Sequence, residues 1–228
     1  MPSPRRATIE KPRTIETDAD VAEGLAFLRE KCRHIKKAHD LAGDPPLRRN
    51  LGGFPGLARI VVGQQVSIHA AASIWAKFEG GLGKVTPEAI LARDDDALRA
   101  FGLSRPKVKT LRAVSEAAVS GALPIKRFDR MTEDEIRDCM TAVSGIGPWT
   151  TDIYLMFCLG RADQFAPGDL ALQVAVGNLM KKKERPTADE IAAIAAKRWT
   201  PWRGVAARML WHYYAFTKAQ EKTTSSPV

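Results

Sequence analysis

The 228-residue chain has no apolar run long enough to cross a bilayer, which takes roughly 20 residues, so a membrane-spanning helix is excluded. Its first residues are basic but lack an apolar stretch, so no secretory signal is read there. Cysteine is scarce. Cys32, Cys139 and Cys158 are odd in number and scattered, which excludes a disulfide framework and reads as reduced thiols of a cytosolic protein. No segment sustains the apolar–polar alternation and hairpin turns of a sheet, and there is no internal repeat.

Positive charge is plentiful. Lys and Arg number 35 against 26 Asp and Glu, a net charge of +9. That excess favours a polyanionic partner without identifying one, plain solubility being the alternative. Apolar spacing predicts an all-α chain, with helices over residues 18–38, 54–78, 87–92, 95–101, 107–120, 132–143, 150–159, 170–182, 188–198 and 201–218. Residues 1–16 and 221–228 are expected to be disordered tails. The run KKKER at 181–185 reads as a solvated helix end.

One segment carries chemistry. Thr132 and Glu135 form a capping box that starts a helix, with Ile136, Cys139, Met140 and Val143 on one stripe. SGIG at 144–147 breaks it, because glycine adopts positive φ and leaves no side chain in the way. Pro148 suits the first turn of a second helix. The helix, tight turn and helix aim backbone N–H groups and a positive helix end in one direction, which suits an anion. The alternative is an ordinary hairpin whose glycines serve geometry alone. Downstream, QFAPGD at 164–169 ends in Asp169, placed to cap the next helix.

The hairpin with Asp169 resembles the helix–hairpin–helix (HhH-GPD) DNA glycosylases, and within them the 3-methyladenine DNA glycosylase II family. VVGQQVS at 61–67, GLSRPKVKTL at 102–111 and WTPWRGVAARMLWHYY at 199–214 match as well, so the resemblance covers roughly residues 20–216. It implies a two-lobed helical fold with the active site in the cleft. Residues 52–162 would form one lobe, ending in the hairpin, and 17–51 with 163–220 would form the other. It also implies a monomer acting on double-stranded DNA with alkylated bases, in base-excision repair. The compartment would be the cytoplasm, beside the nucleoid, in a bacterium, or the nucleus in a eukaryote.

The roles that follow are implied by the resemblance. Gly145 and Gly147, with Thr150 and Thr151, would contact phosphate. Gln65 would enter the duplex as a plug, with Gln64 beside the pocket, although Gly63-Gln64-Gln65 also reads as a mere helix kink. Trp149, Trp211, Tyr154 and His212 would line the base pocket, His212 being equally a core residue, while Trp75, Trp199 and Trp202 read as core. Asp169 would be the catalytic carboxylate as well as a cap, either stabilising an oxocarbenium-like sugar or activating water. Asp152 and Asp163 lie off the motif position. Ser104, Arg105, Lys107 and Arg203 would meet phosphate or be surface charge.

Bifunctional relatives carry a nucleophilic lysine where this chain has Trp149, which implies a hydrolase without lyase activity. No cysteine follows Cys158, so the iron–sulfur cluster of the endonuclease III-like branch is not expected, nor is any other cofactor. A monovalent cation, Na+ or K+, on the carbonyls of Thr141, Val143 and Ile146 is compatible with the sequence. The competing functions are a non-catalytic binder of DNA structure and a glycosylase for other damaged or mismatched bases.

Overall fold

The computed structural model describes residues 12–224. The helices are α1 (Asp18–Lys31), α2 (Arg33–Ala42), α3 (Gly53–Gly63), α4 (Ile68–Leu82), α5 (Pro87–Leu91), α6 (Asp95–Ala100) and α7 (Arg105–Ser120). A short 3-10 turn (Ile125–Arg130) leads to α8 (Glu133–Thr141) and α9 (Pro148–Ile153), which runs on as a π turn (Tyr154–Cys158). Then come α10 (Leu170–Met180), α11 (Ala188–Arg198) and α12 (Arg203–Thr224). The chain is all-α. Extended pairing among the described residues is limited to a bridge between Thr14 and Arg161.

Local chemistry sets the boundaries. The capping boxes at Thr132/Glu135 and Thr187/Glu190 both form, and a third joins Thr17 to Asp20. Two long apolar stripes prove to be helix pairs. Residues 18–38 divide at Cys32, whose backbone is extended at φ −139°. Because Cys32 and Ile35 are both buried, the stripe runs through the break and periodicity cannot show it. Residues 54–78 divide at a loop over residues 64–67. There Ser67 accepts from the Ala70 N–H at 3.2 Å and starts α4 afresh.

The tail expectations need correction. Residues 12–16 pack on the body: Ile15 is fully buried, its N–H donates to the Gly160 carbonyl at 2.7 Å, and the Arg13 carbonyl accepts from Ala162 at 2.9 Å. Residues 221–224 continue α12. Residues 1–11 and 225–228 of the expected tails lie outside the described residues.

Helix packing sorts the elements into two sets. α1, α2, α10, α11 and α12 pack on one another, while α3 packs on α4, α7 and α9, α7 on α5 and α6, and α8 on α9. Arg208 of α12 stitches the first set to the chain around the second. Its buried guanidinium donates to the carbonyls of Leu47 (2.6 Å), Gly204 (2.9 Å), Met156 (3.3 Å) and Arg48 (3.4 Å). Burial, reinforced by the charges of Arg49 and Arg48, lowers its pKa to about 10. Trp75, Trp199 and Trp202 are all buried core.

Candidate active site

The turn between α8 and α9 is built around Gly145, which sits at φ +86°. A Cβ there would come within 1.9 Å of the Thr110 hydroxyl on α7. The glycine is therefore required twice, by its backbone conformation and by the close approach of a neighbouring helix. Gly147 differs. Its φ is −102°, open to any residue, and a Cβ would meet nothing within 4 Å. Nothing inside the chain demands a glycine there. Gly147 is the N-cap of α9, whose first-turn N–H groups have no intrahelical acceptors.

Asp169 is the N-cap of α10, its Oδ1 accepting from the Leu172 N–H at 3.1 Å. Two indoles complete its surroundings. Trp211 Nε1 donates to Oδ1 at 3.0 Å and Trp149 Nε1 donates to Oδ2 at 2.9 Å. Three donors on an acceptor-only group are the pattern of an ionised carboxylate. The side chain stays half-buried, and one lone-pair position on Oδ2 remains free.

The loop that presents Asp169 is pinned at several points. Arg137 of α8 donates to Asp152 Oδ1 at 2.6 Å and to Gln164 Oε1 at 2.7 Å. Arg203 grips Asp163 with two donors, at 2.8 and 3.0 Å. Phe165 packs on Trp199 with ring centroids 5.4 Å apart. Asp152 and Asp163, the two acids off the motif position, are thus both ion-paired struts. Burial pushes the Asp152 carboxyl above its ordinary value, and Arg137 pulls against that.

Beside this carboxylate lies a cleft of about 490 Å³. Trp149, Ile153, Phe157, Ile60 and Ile68 make its apolar wall, and Arg48, Arg49, Asn50 and Arg59 its polar side. The Phe157 ring stacks obliquely on Trp211, centroids 5.5 Å apart, so the wall is continuous with the ring that holds Asp169. Sequence reasoning missed Ile153, Phe157 and the arginines as cleft residues. The RRN run at 48–50 directly ahead of α3 was the available signal.

Several expected site residues stand elsewhere. Tyr154 is fully buried; its hydroxyl donates to the Gly53 carbonyl at 3.2 Å, and its ring meets Phe128 edge-on. Burial raises its phenol far beyond the usual range. It is a core residue, whereas Ile153 and Phe157 on either side of it in the chain stand on the cleft wall. His212 donates from Nε2 to the Ala42 carbonyl at 2.8 Å, tying α12 to the end of α2 rather than lining the cleft. The Thr150 and Thr151 side chains are buried. The Thr150 hydroxyl accepts from Gln64 Nε2 at 2.9 Å, and the Thr151 hydroxyl donates to the Gly147 carbonyl at 3.2 Å. Gln64 therefore fastens the 64–67 loop to the hairpin and does not line the cleft. Gln65 next to it is exposed and left-handed, at φ +54°. Of the phosphate candidates, Lys107 is buried with its ammonium on the Val62 carbonyl at 2.8 Å, and Arg203 is spent on Asp163. Ser104 and Arg105 stay exposed.

A helical fold that joins a glycine hairpin to a half-buried aspartate beside an aromatic cleft is the architecture of a base-excision enzyme. Residues 58–201 match the HhH-GPD superfamily of base excision DNA repair proteins. The chain is 32% identical over 211 residues to DNA-3-methyladenine glycosylase 1 of Schizosaccharomyces pombe, spanning 89% of this chain and 91% of that one. It is 26% identical over 165 residues to DNA-3-methyladenine glycosylase 2 of Escherichia coli, spanning 68% and 55%. Its fold is similar to that of the fission-yeast 3-methyladenine DNA glycosylase Mag1 in complex with abasic DNA, with TM-score 0.76 and 28% identity over 83% of this chain and 95% of that one. A DNA-3-methyladenine glycosidase from Bacillus halodurans gives a TM-score of 0.73 at 28% identity, covering 93% and 95%. The chain belongs to the HhH-GPD superfamily of base excision DNA repair proteins. No helix among its described residues is long and apolar enough to cross a membrane.

Proposed function

We propose that this protein is a monofunctional DNA glycosylase that hydrolyses the bond between deoxyribose and an alkylated purine. The observation that carries the reading is Asp169, whose carboxylate is held by Trp149, Trp211 and its own helix beside an aromatic cleft. The relatives named as 3-methyladenine glycosylases support the substrate class.

The bond is inaccessible inside a duplex, so the nucleotide must be extruded. Gly145 and Gly147 present backbone N–H groups to a phosphate. The open space at Gly147 is the room a backbone oxygen would need. Gln65, exposed and strained at the tip of its loop, fills the vacated stack, and Gln64 holds that loop against the hairpin through Thr150. The extruded base lies against Trp149 and Phe157. An indole face attracts a cationic ring by roughly 0.5–2 kcal/mol.

As the base departs, positive charge builds on the sugar, and the Asp169 carboxylate stabilises it. Three of its four acceptor positions are already filled, so it serves poorly as a proton acceptor and well as a fixed negative charge. Electrostatic stabilisation is the role we assign it, with water attacking the sugar as the base leaves. No lysine lines the cleft among the described residues, which supports hydrolysis without a Schiff-base step. The Thr141 carbonyl ends α8, and those of Val143, which also accepts from the Ile146 N–H at 3.0 Å, and Ile146 follow it, where helix polarity is negative. They are hard oxygen donors that fit Na+ or K+, which would link the hairpin to a DNA phosphate.

Asp169→Asn tests the reading. Asparagine still caps the helix but sets its amide N–H2 against an indole donor, so stability should fall by about 1–3 kcal/mol, while the protein stays folded and DNA binding persists. Single-turnover release of free base from alkylated DNA should fall at least a hundredfold, in the range of lost transition-state charge stabilisation. Unchanged release would remove Asp169 from the mechanism. Borohydride treatment of the wild type on damaged DNA should yield no covalent adduct; a trapped adduct would overturn the monofunctional assignment.

A further inference from the structure

The cleft holds one cation that neither the fold nor the mechanism above uses. Of its three arginines, Arg49 is spent on Glu16 at 2.8 Å and on the carbonyls of Phe157 (3.3 Å) and Cys158 (3.4 Å). Arg59 lies over the Trp75 ring, 5.6 Å from its centroid. Arg48 lines the same cleft, and its guanidinium has no hydrogen bond or ion pair among the described residues. Its backbone stands at φ +47°, a strained conformation for an arginine. The buried guanidinium of Arg208 donates to the Arg48 carbonyl at 3.4 Å, so core packing holds this strained position. Arg48 stays exposed at the mouth of the cleft; partial desolvation there lowers its pKa, and no acid opposes it. Among the described residues no carboxylate lines the cleft; Asp169 borders it through the Trp149 indole.

We propose that Arg48 touches the extruded base, donating a hydrogen bond to an acceptor on its edge, and so biases the pocket toward neutral modified bases over cationic ones. This rests on the glycosylase reading above and widens its substrate class, from alkylated purines to neutral modified purines such as hypoxanthine, which carries no alkyl group. Two influences compete in the cleft. The indole face of Trp149 attracts a cationic ring, whereas an unpaired guanidinium beside it repels one. A neutral base reverses the balance. When the C1′–N bond breaks, its electron pair stays on the base nitrogen and negative charge develops over the ring. A guanidinium hydrogen bond stabilises that charge while keeping its own proton. The water oxygen bonds to C1′, and one water proton reaches the departed base through solvent. A cationic alkylpurine leaves as a neutral molecule and gains nothing from this donor. Arg48 thus supplies leaving-group stabilisation that Asp169 cannot.

The test uses the full chain and matched duplexes carrying either hypoxanthine or 1,N6-ethenoadenine, both neutral, or 7-methylguanine, which is cationic. Single-turnover rates are compared for the wild type, Arg48→Met and Arg48→Lys, with thermal unfolding checked for each. In Arg48→Met the neutral-base rates should fall at least tenfold while the 7-methylguanine rate holds or rises. Arg48→Lys should recover part of the neutral-base rate, since it restores charge without the planar fork. An equal fall on all duplexes would mean that Arg48 serves the DNA backbone or the fold, and would overturn the proposal, as would an unchanged ratio. A wild type that releases no base from any duplex would sink the glycosylase reading itself.

Discussion

The indole N–H of Trp149 donates to Asp169 Oδ2 at 2.9 Å, joining the first turn of α9 to the N-cap of α10 across twenty residues of chain. The same ring faces the cleft. One side chain therefore walls the cleft, holds the Asp169 carboxylate and fixes the spacing between hairpin and acid. At this position a tryptophan does what a lysine does not: it stabilises the carboxylate's charge without offering a nucleophile.

Replacing Trp149 by phenylalanine keeps the aromatic wall and deletes the donor. A hydrogen bond to a charged group contributes about 1.5–3 kcal/mol, so single-turnover excision should drop roughly ten- to a hundredfold. Stability should fall by no more than that same amount of free energy, because Asp169 keeps the Leu172 and Trp211 donors. Trp149→Leu, which removes the ring as well, should be slower still. Equal rates for Trp149→Phe and the wild type would show that the bond has no part in the reaction.

Much of this arrangement was legible in the chain. The helix–turn–helix geometry, its capping box, Asp169 as an N-cap and the all-α class follow from residue types at fixed spacing, while the catalytic role of Asp169 was implied by the family resemblance. Trp149 and Trp211 needed the family resemblance to move from core to cleft. Periodicity failed where a helix restarts without losing its apolar stripe, as at Cys32, and where it ran through Gly63-Gln64-Gln65, a stretch whose residue types also read as a kink. It also failed at residues 154–158. There Tyr154 is core while Ile153 and Phe157 stand on the cleft wall. Side chains of residues read as site residues turned out to bond one another, as Gln64, read as beside the pocket, and Thr150 do, because a one-dimensional pattern cannot show which polar groups a fold consumes internally.

The two hairpin glycines should separate fold from binding. Gly145→Ala forces a Cβ onto Thr110 and onto a positive φ, and should cost roughly 2–4 kcal/mol in urea unfolding. Gly147→Ala meets open space at an ordinary φ, so stability should change by under about 1 kcal/mol. If a phosphate occupies that space, DNA affinity should nonetheless fall about tenfold, the equivalent of ~1.4 kcal/mol. Full affinity in Gly147→Ala would place the phosphate elsewhere.

Gln65 should show opposite signs in stability and activity. Its left-handed backbone is strained for any residue but glycine, so Gln65→Gly should leave stability unchanged or raise it by up to about 1 kcal/mol. The same change removes the plug, and base release from duplex DNA should slow by at least tenfold. Release of the same base from single-stranded DNA, where no stack must be held open, should slow far less. Parallel losses on both substrates would assign Gln65 to the fold or to general DNA binding.

The Arg137–Asp152–Gln164 chain gives a prediction with a definite pH sign. Asp152 is buried, and desolvation raises its carboxyl above the ordinary 3.8, with Arg137 and then Arg203 pulling it back. Because the folded-state pKa is raised, the native protein holds this proton more tightly than the unfolded chain. Below that pKa the carboxyl is neutral and its burial costs little; as pH rises through it, the charge appears and stability is lost. Arg137→Met removes the strongest restraint on that loss and leaves Gln164 without its donor. The variant should lose roughly 2–3 kcal/mol at pH 7, less than a fully enclosed pair because Arg137 is one-third exposed. The loss should shrink as pH falls toward 4 and Asp152 protonates. Urea midpoints of wild type and variant at pH 7 and pH 4 measure it, and a gap that stays constant or widens on acidification would mean that Asp152 carries no charge penalty. Excision should fall along with stability at pH 7, since Gln164 begins the loop that ends in Asp169 and any slack in it moves the carboxylate away from the sugar.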